Sequence, residues 1–553
     1  MEQQSTFIDY IEQSIIQNWD LDALTDYKGI TLQYKDVARK IAKIHIVFDS
    51  MNIQPGDKIA VCGRNSAHWA VTFLATVTYG AVIVPILHEF KSDNIHNIVN
   101  HSEAKALLVG DQVWENLNEE AMPNLIGVIL LNDFTLAVCR DEKLWEAMEN
   151  RNAIYGERYP KNFRPEHISY RKEASPDELI LINYTSGTTG YSKGVMLSHR
   201  SLWSNIRYCH EMLAVHPGDN MVSMLPLGHV FGMVFDFLYG FSAGAHLYFL
   251  TRMPSPKIIA QSFSEIRPRV ISCVPLVVEK IIKKDILPQL DNTIGKLLLR
   301  MPIINDRIKA DARRKAMEIF GNNFDEIIIG GAPFNVDVER FLKFIGFPYT
   351  IAYGMTECGP IICSSRWEEH KQGSCGKAAN RMTVKIDSAD PETQAGEIIC
   401  KGENLMLGYY KNPEATAQII DIHGWLHTGD LGTMDANGYV TVRGRNKNML
   451  LTASGQNIYP EEIESKLNNM PYVSESLIVL QKEKLVALIY PDFDDAFAHG
   501  LTQADIEKAM ENNRLELNQH LPAYCQITKV KIHFEEFEKT AKKSIKRFMY
   551  QDA

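Results

Sequence analysis

The densest chemistry in the chain lies in Tyr184-Thr-Ser-Gly-Thr-Thr-Gly-Tyr-Ser-Lys-Gly194. Thr185, Ser186, Thr188 and Thr189 bring hydroxyls, Gly187, Gly190 and Gly194 bring bare backbone, and Lys193 brings a charge. Glycines let backbone N–H groups approach an anion, hydroxyls donate further hydrogen bonds, and the lysine supplies the counter-charge. The stretch follows the apolar run ELILIN, so a buried strand must present it. It is not the GxxxxGK[ST] nucleotide loop, because Lys193 does not directly follow the last loop glycine. The bland alternative is a flexible polar turn. Turns rarely combine this many hydroxyls and glycines with a lysine behind a buried strand.

Other candidate segments follow in order. They are Leu225-Pro-Leu-Gly-His-Val-Phe-Gly232, Ile329-Gly-Gly-Ala-Pro333, Tyr353-Gly-Met-Thr-Glu357, Trp425-Leu-His-Thr-Gly-Asp430, Arg443-Gly-Arg445 and Ser454-Gly-Gln-Asn-Ile-Tyr-Pro-Glu-Glu-Ile-Glu464. Together with the hydroxyl-rich loop they resemble the adenylate-forming (AMP-binding) superfamily. That group includes acyl-CoA synthetases, firefly luciferase and peptide-synthetase adenylation domains. The resemblance covers nearly the whole chain. Within it, Val274-Pro-Leu-Val-Val-Glu-Lys280 resembles a stretch of the bacterial long-chain fatty acid–CoA ligase group.

The resemblance implies a role for each segment. Thr185 to Gly190 and Lys193 would hold the phosphates of ATP. Gly331, Ala332 and Pro333 would line the adenine pocket, where the backbone must come close to a flat ring; alone, this segment reads equally as a strand-to-turn link. Tyr353, followed by Gly354, would stack on adenine, Thr356 would touch the α-phosphate, and Glu357 would hold Mg²⁺. A carboxylate suits that task, because pyrophosphate leaves well only when its charge is neutralised. Asp430 would bind the ribose hydroxyls, with Arg445 near ribose and phosphate. His229 would sit beside the acid's carboxylate, although a lone histidine is also commonly a core residue. Val230, Phe231, Gly232 and Met233 would line the mouth of the acyl pocket. Lys447 takes the hinge position, and the often acidic position after it is Asn448. Gly455 would line the channel for the pantetheine thiol after the C-terminal domain turns, a form of conformational gating.

One segment departs from the pattern. The C-terminal end reads Glu538-Lys-Thr-Ala-Lys-Lys-Ser-Ile-Lys-Arg547, and Ser544 stands where the family has its adenylation lysine. A cation is needed where a carboxylate attacks a phosphate. Lys543 lies one residue early and Lys546 two late, and Lys543 is the favoured candidate. Residues 539–547 also read as a solvated basic tail, with five positive charges and no acid. Such a tail could touch an anionic membrane surface.

Composition sets the outer bounds. At 553 residues with 45% hydrophobic and 23% charged content, the chain fits a large soluble globular protein of several domain-sized units. The 58 Lys and Arg against 68 Asp and Glu leave a formal net charge of −10, which argues against a nucleic-acid coat. Nine cysteines without a CxxC pair argue against a disulfide framework or a cysteine zinc site, and fit a reducing, cytoplasmic compartment. The start, MEQQSTFIDYIEQSIIQNWD, reads as an amphipathic helix, not a signal peptide. Ala70–Leu87 carries no charge, and Met221–Leu250 carries only Asp236 and two histidines, His229 and His246. Gly and Pro break both, so buried helices and strands are expected there instead of membrane spans.

These pieces must be positioned by an α/β scaffold. Val- and Ile-rich runs at 59–63, 81–86, 104–110, 127–131, 178–187, 269–275 and 326–330 alternate with helix-like segments, which implies parallel-rich sheets. From about residue 381, short strands between Gly turns suggest a small β-barrel part. After Arg445, a Pro460-led helix, a hairpin and a second helix suggest a small α+β unit. The expected organisation is an adenylation domain, 1–444, and a mobile lid, 445–553. The expected reaction is activation of a long-chain fatty acid as acyl-AMP, at the expense of ATP with Mg²⁺, and transfer to CoA. Alternatives are transfer to acyl carrier protein, an aryl or bile acid substrate, and an acyl- or nucleotide-binding pseudoenzyme suggested by Ser544. A cytoplasmic protein with peripheral contact at the inner membrane face, and no nucleic-acid partner, completes the expectation.

Overall fold

The computed structural model describes residues 6–185, 192–251, 256–286, 302–451, 457–481, 484–522, 525–540 and 545–550. The central element is an eight-stranded sheet. Its order is Gly408–Tyr409, Lys193–Ser198, Leu179–Thr185, Val82–Ile86, Lys58–Cys62, Ala104–Val109, Gly127–Leu130 and Leu136–Cys139. The five strands from Leu179–Thr185 to Gly127–Leu130 run parallel, and antiparallel strands close both edges. Parallel strands must be covered on both faces, which is why these segments read as continuous apolar runs.

The uncharged stretch from Ala70 resolves as expected into a buried helix and a buried strand. Helix Ala67–Tyr79 starts where the Ser66 side chain accepts the Trp69 N–H and ends at Gly80. Residues 67–78 of this helix are all buried, as a helix apolar on every side requires. The second apolar stretch, from Met221, becomes strand Asn220–Ser223, a helical run from Val230 to Ser242 and strand His246–Phe249. Within that run Met233–Tyr239 is wound as a π-helix, a departure common at functional sites. Among the described residues no helix is long and apolar enough to cross a membrane.

A second sheet orders Val270–Cys273, Glu326–Gly330, Tyr349–Gly354, Ile361–Ser364 and Lys377–Ala378, the first three parallel. A third joins Asn220–Ser223, His246–Phe249, Asp22–Asp26 and Thr31–Gln33. The small β part is an open antiparallel sheet, Met382–Asp387, Gly396–Gly402, Leu426–Met434 and Val440–Arg445, and not the barrel its short strands suggested. Its two outer strands do not pair with each other, so the sheet has edges.

Beyond Arg445 the elements match the sequence reading. Helix Pro460–Leu467 and helix Gln503–Gln519 flank the hairpin Val473–Gln481 with Lys484–Pro491, and Lys529–Ile532 pairs parallel to the latter. This part has its own core around Ile463, Leu467, Ile489 and Met510. It meets the rest of the chain through Arg443 Nη1 to Glu462 Oε1 at 3.4 Å and Lys283 Nζ to Asn469 Oδ1 at 2.6 Å.

Candidate active site

The hydroxyl-rich loop springs from a hairpin of the central sheet. Register pairs Thr185 with Lys193, so these two residues stand opposite each other at its base. Ser186, Gly187, Thr188, Thr189 and Gly190 lie outside the described residues, as do Gly455, Lys543 and Ser544. Lys193 Nζ lies 4.8 Å above the ring of Tyr409, on the short strand that pairs with Lys193–Ser198. Tyr409 Oη donates to Glu357 Oε1 at 2.8 Å. Burial beside that carboxylate pushes the Tyr409 phenol up, so it stays a neutral donor.

Thr356 and Glu357 are both buried, on the single 3₁₀ turn Thr356–Cys358. The turn follows strand Tyr349–Gly354, and the chain doubles back there so tightly that a Cβ on Gly354 would lie 2.0 Å from the Pro360 carbonyl oxygen. Only glycine fits that position. The Glu357 carbonyl accepts the Met406 N–H at 2.9 Å, which ties the turn to the chain leading to Tyr409.

A second cluster forms around Asp430. Tyr353 Oη donates to Asp430 Oδ2 at 2.7 Å, and Arg445 Nε reaches Asp430 Oδ1 at 2.9 Å. Asp430 and Arg445 are direct cross-strand partners, so the sheet register sets the pair. Burial raises the Asp430 carboxyl, while Arg445 and Tyr353 pull it down. The Trp425–Asp430 segment is held from below by Glu397, which takes the His427 ring at 2.9 Å and the Gly429 N–H at 2.9 Å. Lys447 follows on the next turn, Asn446–Asn448. Partial burial and the charges of Arg445 and Lys193 push its ammonium down, with Asp430 opposing them. Lys193, Glu357, Asp430, Arg445 and Lys447 therefore share one electrostatic neighbourhood.

The candidate acyl loop lies against both. Asn183, two residues before Thr185, donates to the Gly228 carbonyl at 2.8 Å. His229 Nδ1 accepts the Phe231 N–H at 3.2 Å, which leaves Nε2 to carry the proton in the neutral ring. Val230, Phe231, Gly232 and Met233 are buried. The Phe231 ring closes over Gly330, where a Cβ would meet Cζ at 3.2 Å. Gly331, Ala332 and Pro333 continue from that strand end, beside Ala352 and Tyr353 of the paired strand.

Several supporting residues fall outside every motif that the sequence offered. Asp236, on the π-helix, accepts the N–H groups of Met224 and Leu225 at 3.1 and 3.0 Å. Burial pushes its carboxyl up to about 8. Asn65 grips the same loop, accepting the Leu227 N–H at 2.9 Å and donating to the Leu225 carbonyl at 2.7 Å. Tyr409 and Glu397 belong with them.

The basic tail is not simply solvated. Lys539 pairs with Glu475 at 2.7 Å, Lys546 with Glu538 at 3.4 Å, and Arg547 with Glu464. Acids from the same small unit thus neutralise its described charges.

As for Mg²⁺, no group of three or more His, Cys, Asp or Glu among the described residues forms a closed metal cage. A lone carboxylate beside a phosphate loop still fits this ion, which keeps several waters and is shared with substrate phosphates. Glu357, oriented by Tyr409, is such a carboxylate.

Comparison with known proteins gives consistent results. The family profile described as "AMP-binding enzyme" matches residues 11–410, and "AMP-binding enzyme C-terminal domain" matches 447–552. A methyl-dioxo-octahydro-indenyl propanoyl:CoA ligase of Rhodococcus jostii is 28% identical, with 86% of each chain covered. A long-chain-fatty-acid–CoA ligase of Escherichia coli is 26% identical, covering 85% of this chain and 82% of its own. Among solved structures, the anthranilate CoA ligase AuaEII with anthranoyl-AMP superposes at a TM-score of 0.79, with 19% identity and 99% and 96% coverage. ATP-bound MatB from Rhodopseudomonas palustris superposes at 0.75, with 22% identity and 99% of both chains covered.

Proposed function

The chain belongs to the AMP-binding enzyme family, and from that premise we propose that it is an AMP-forming acid–CoA ligase whose acid is a long-chain fatty acid. ATP and CoA are its co-substrates. The observation that carries the reading is the convergence of Lys193, Tyr409, Glu357, Tyr353, Asp430 and Arg445 from five separate segments.

In the first half-reaction the acid's carboxylate oxygen attacks the α-phosphorus, and the bond to pyrophosphate breaks. Lys193 and the hydroxyl-rich loop meet the leaving charge, which needs fixed donors where negative charge accumulates. Glu357 would hold Mg²⁺, which supplies further neutralisation of the phosphates when bound. Asp430 takes the ribose hydroxyls, Tyr353 and Gly331–Pro333 the adenine. The His229 ring would sit beside the acid's carboxylate. Lys543 supplies the cation that brings carboxylate and phosphate together.

In the second half-reaction the CoA thiol attacks the acyl carbon, AMP leaves and the thiol proton is released. We assign residues 1–444 to the adenylation body and 445–553 to a lid that turns about Lys447 between the two steps, bringing Gly455 to the thiol channel.

The long-chain assignment draws on the Val274–Lys280 stretch, on the apolar loop Val230–Met233 and on the Escherichia coli relative. A second reading, a fused-ring acid, is favoured by the Rhodococcus relative. Acid-dependent ATP–pyrophosphate exchange across chain lengths and ring acids, followed by AMP release with CoA, separates them. Lys543→Ala should stop exchange while Lys546→Ala retains it; the reverse would reassign the cation.

A further inference from the structure

We propose that the molecule carries a second ligand site, remote from the nucleotide cluster, that takes a small ring-bearing anion. A cavity of about 310 Å³ lies between helices Tyr34–Ser50, Ala67–Tyr79 and Glu142–Arg158 and the segment 163–171. None of its lining residues belongs to the site described above.

Tyr170 is the first observation. It is only 7% exposed, lines the cavity, and its buried Oη has no hydrogen-bond partner among the described residues. Burial raises the phenol, so the group is a neutral donor. A buried hydroxyl without a partner is unfavourable, and an acceptor atom in the cavity would satisfy it.

The arginines are the second. Arg158 and Arg171 both line the space, against one lining carboxylate, Asp49. Arg158 spends two N–H groups on Asp49, at 3.1 and 3.2 Å, and Arg171 one on Glu178 at 2.7 Å. A guanidinium has five N–H donors, so both retain free ones. Arg171 is also held in place: its backbone N–H donates to the Thr78 carbonyl at 3.0 Å, and its stem packs on Gly80, where a Cβ would lie 2.4 Å from Cδ. His45 adds no charge, because burial pushes it down to about 4. Both arginines are ion-paired, so what the lining offers an anion is their unspent N–H donors and the Tyr170 hydroxyl, not net charge.

The walls are the third. The rings of His45 and Tyr170 lie 6.2 Å apart, those of His45 and Tyr79 5.1 Å, and those of Phe163 and His167 5.7 Å. Aromatic walls with two arginines suit a flat ring bearing a carboxylate or phosphate.

Position separates this site from the catalytic one. Thr78 and Gly80 precede strand Val82–Ile86, whereas the Gly228 loop packs on Ile86 and Leu87 at the strand's other end. Ligands of catalytic sites in such sheets gather at the carboxyl ends of the strands, and this cavity sits at the opposite ends.

The test is calorimetric titration of the full-length protein with phenyl phosphate, with AMP saturating the nucleotide site. Phenol and inorganic phosphate are titrated as the two halves. The expected result is binding of one phenyl phosphate per chain, about tenfold tighter than either half. Tyr170→Phe should weaken it about tenfold, and Ser169→Trp at the exposed rim should block it. Without probe, Tyr170→Phe should melt no lower than the parent. Three results would overturn the proposal. They are no binding with AMP present, equal affinity in both variants, or a lower melting point for ligand-free Tyr170→Phe, which would reveal a structural partner for the hydroxyl.

Discussion

Tyr409 Oη lies 2.8 Å from Glu357 Oε1, and the same ring lies under Lys193 at 4.8 Å from Nζ. One phenol thus fixes the carboxylate proposed for the metal and faces the lysine proposed for the phosphates. Tyr409→Phe keeps the ring under Lys193 and removes only the hydrogen bond. Loss of such an orienting partner typically costs about 10- to 100-fold. We expect the ATP–pyrophosphate exchange rate to fall by about that much, with a higher Mg²⁺ requirement. Unchanged exchange at limiting Mg²⁺ would remove Tyr409 from the account.

The Asp430–Arg445 pair should matter for binding more than for folding. Arg445 has 51% of its side chain exposed, and an ion pair to so open a partner contributes at most about 1 kcal/mol. Asp430→Asn should therefore leave the denaturation midpoint nearly unchanged while raising the KM for ATP about tenfold or more. A large loss of stability with an unchanged KM would place Asp430 in the scaffold.

Asp236 should give a pH signature. Burial raises its folded carboxyl to about 8, far above the usual carboxylate range, so the folded state binds the extra proton. Its contribution is full below about pH 4 and is lost as pH rises through about 8. Asp236→Asn removes that dependence. The thermal midpoint of the variant relative to the parent should climb between pH 5 and pH 9. A flat difference would mean that the carboxyl is already ionised in the folded protein.

Gly354→Ala tests the turn that carries Thr356 and Glu357. The new methyl would meet the Pro360 carbonyl at 2.0 Å, and backbone must move to admit it. Such overpacking costs about 1–3 kcal/mol, read as a lower urea midpoint. Pyrophosphate exchange should fall further than stability alone explains, because the displaced backbone leads directly to Glu357.

Much of this architecture was legible in the chain itself. Buried parallel strands announce themselves as unbroken Val/Ile runs, and the observed strands Lys58–Cys62, Ala104–Val109 and Glu326–Gly330 fall where those runs lie. The buried helix and strand of the uncharged Ala70–Leu87 stretch were equally plain. What stayed hidden depends on contacts between distant segments. Tyr409 reaches Glu357 across 52 positions, and Asn65 grips Leu225 across 160. Neither residue type is unusual, and no local spacing marks either one. The small sheet read as a barrel because alternating short strands and Gly turns fit both closed and open sheets; closure depends on whether the outer strands pair, which no local pattern encodes. The tail at Lys539–Arg547 read as solvated because two of its counter-charges, Glu475 for Lys539 and Glu464 for Arg547, lie 64 and 83 residues earlier.

The central claim is that the clustered residues activate a long-chain acid as its adenylate. The most direct measurement is ATP–pyrophosphate exchange by the purified protein with a panel of fatty acids from short to long chain. The account predicts exchange that depends on the added acid, is strongest with long chains and is lost in Glu357→Gln. AMP release should then follow once CoA is supplied. No exchange with any acid would contradict the account and return the chain to the alternative of a binding protein without catalysis.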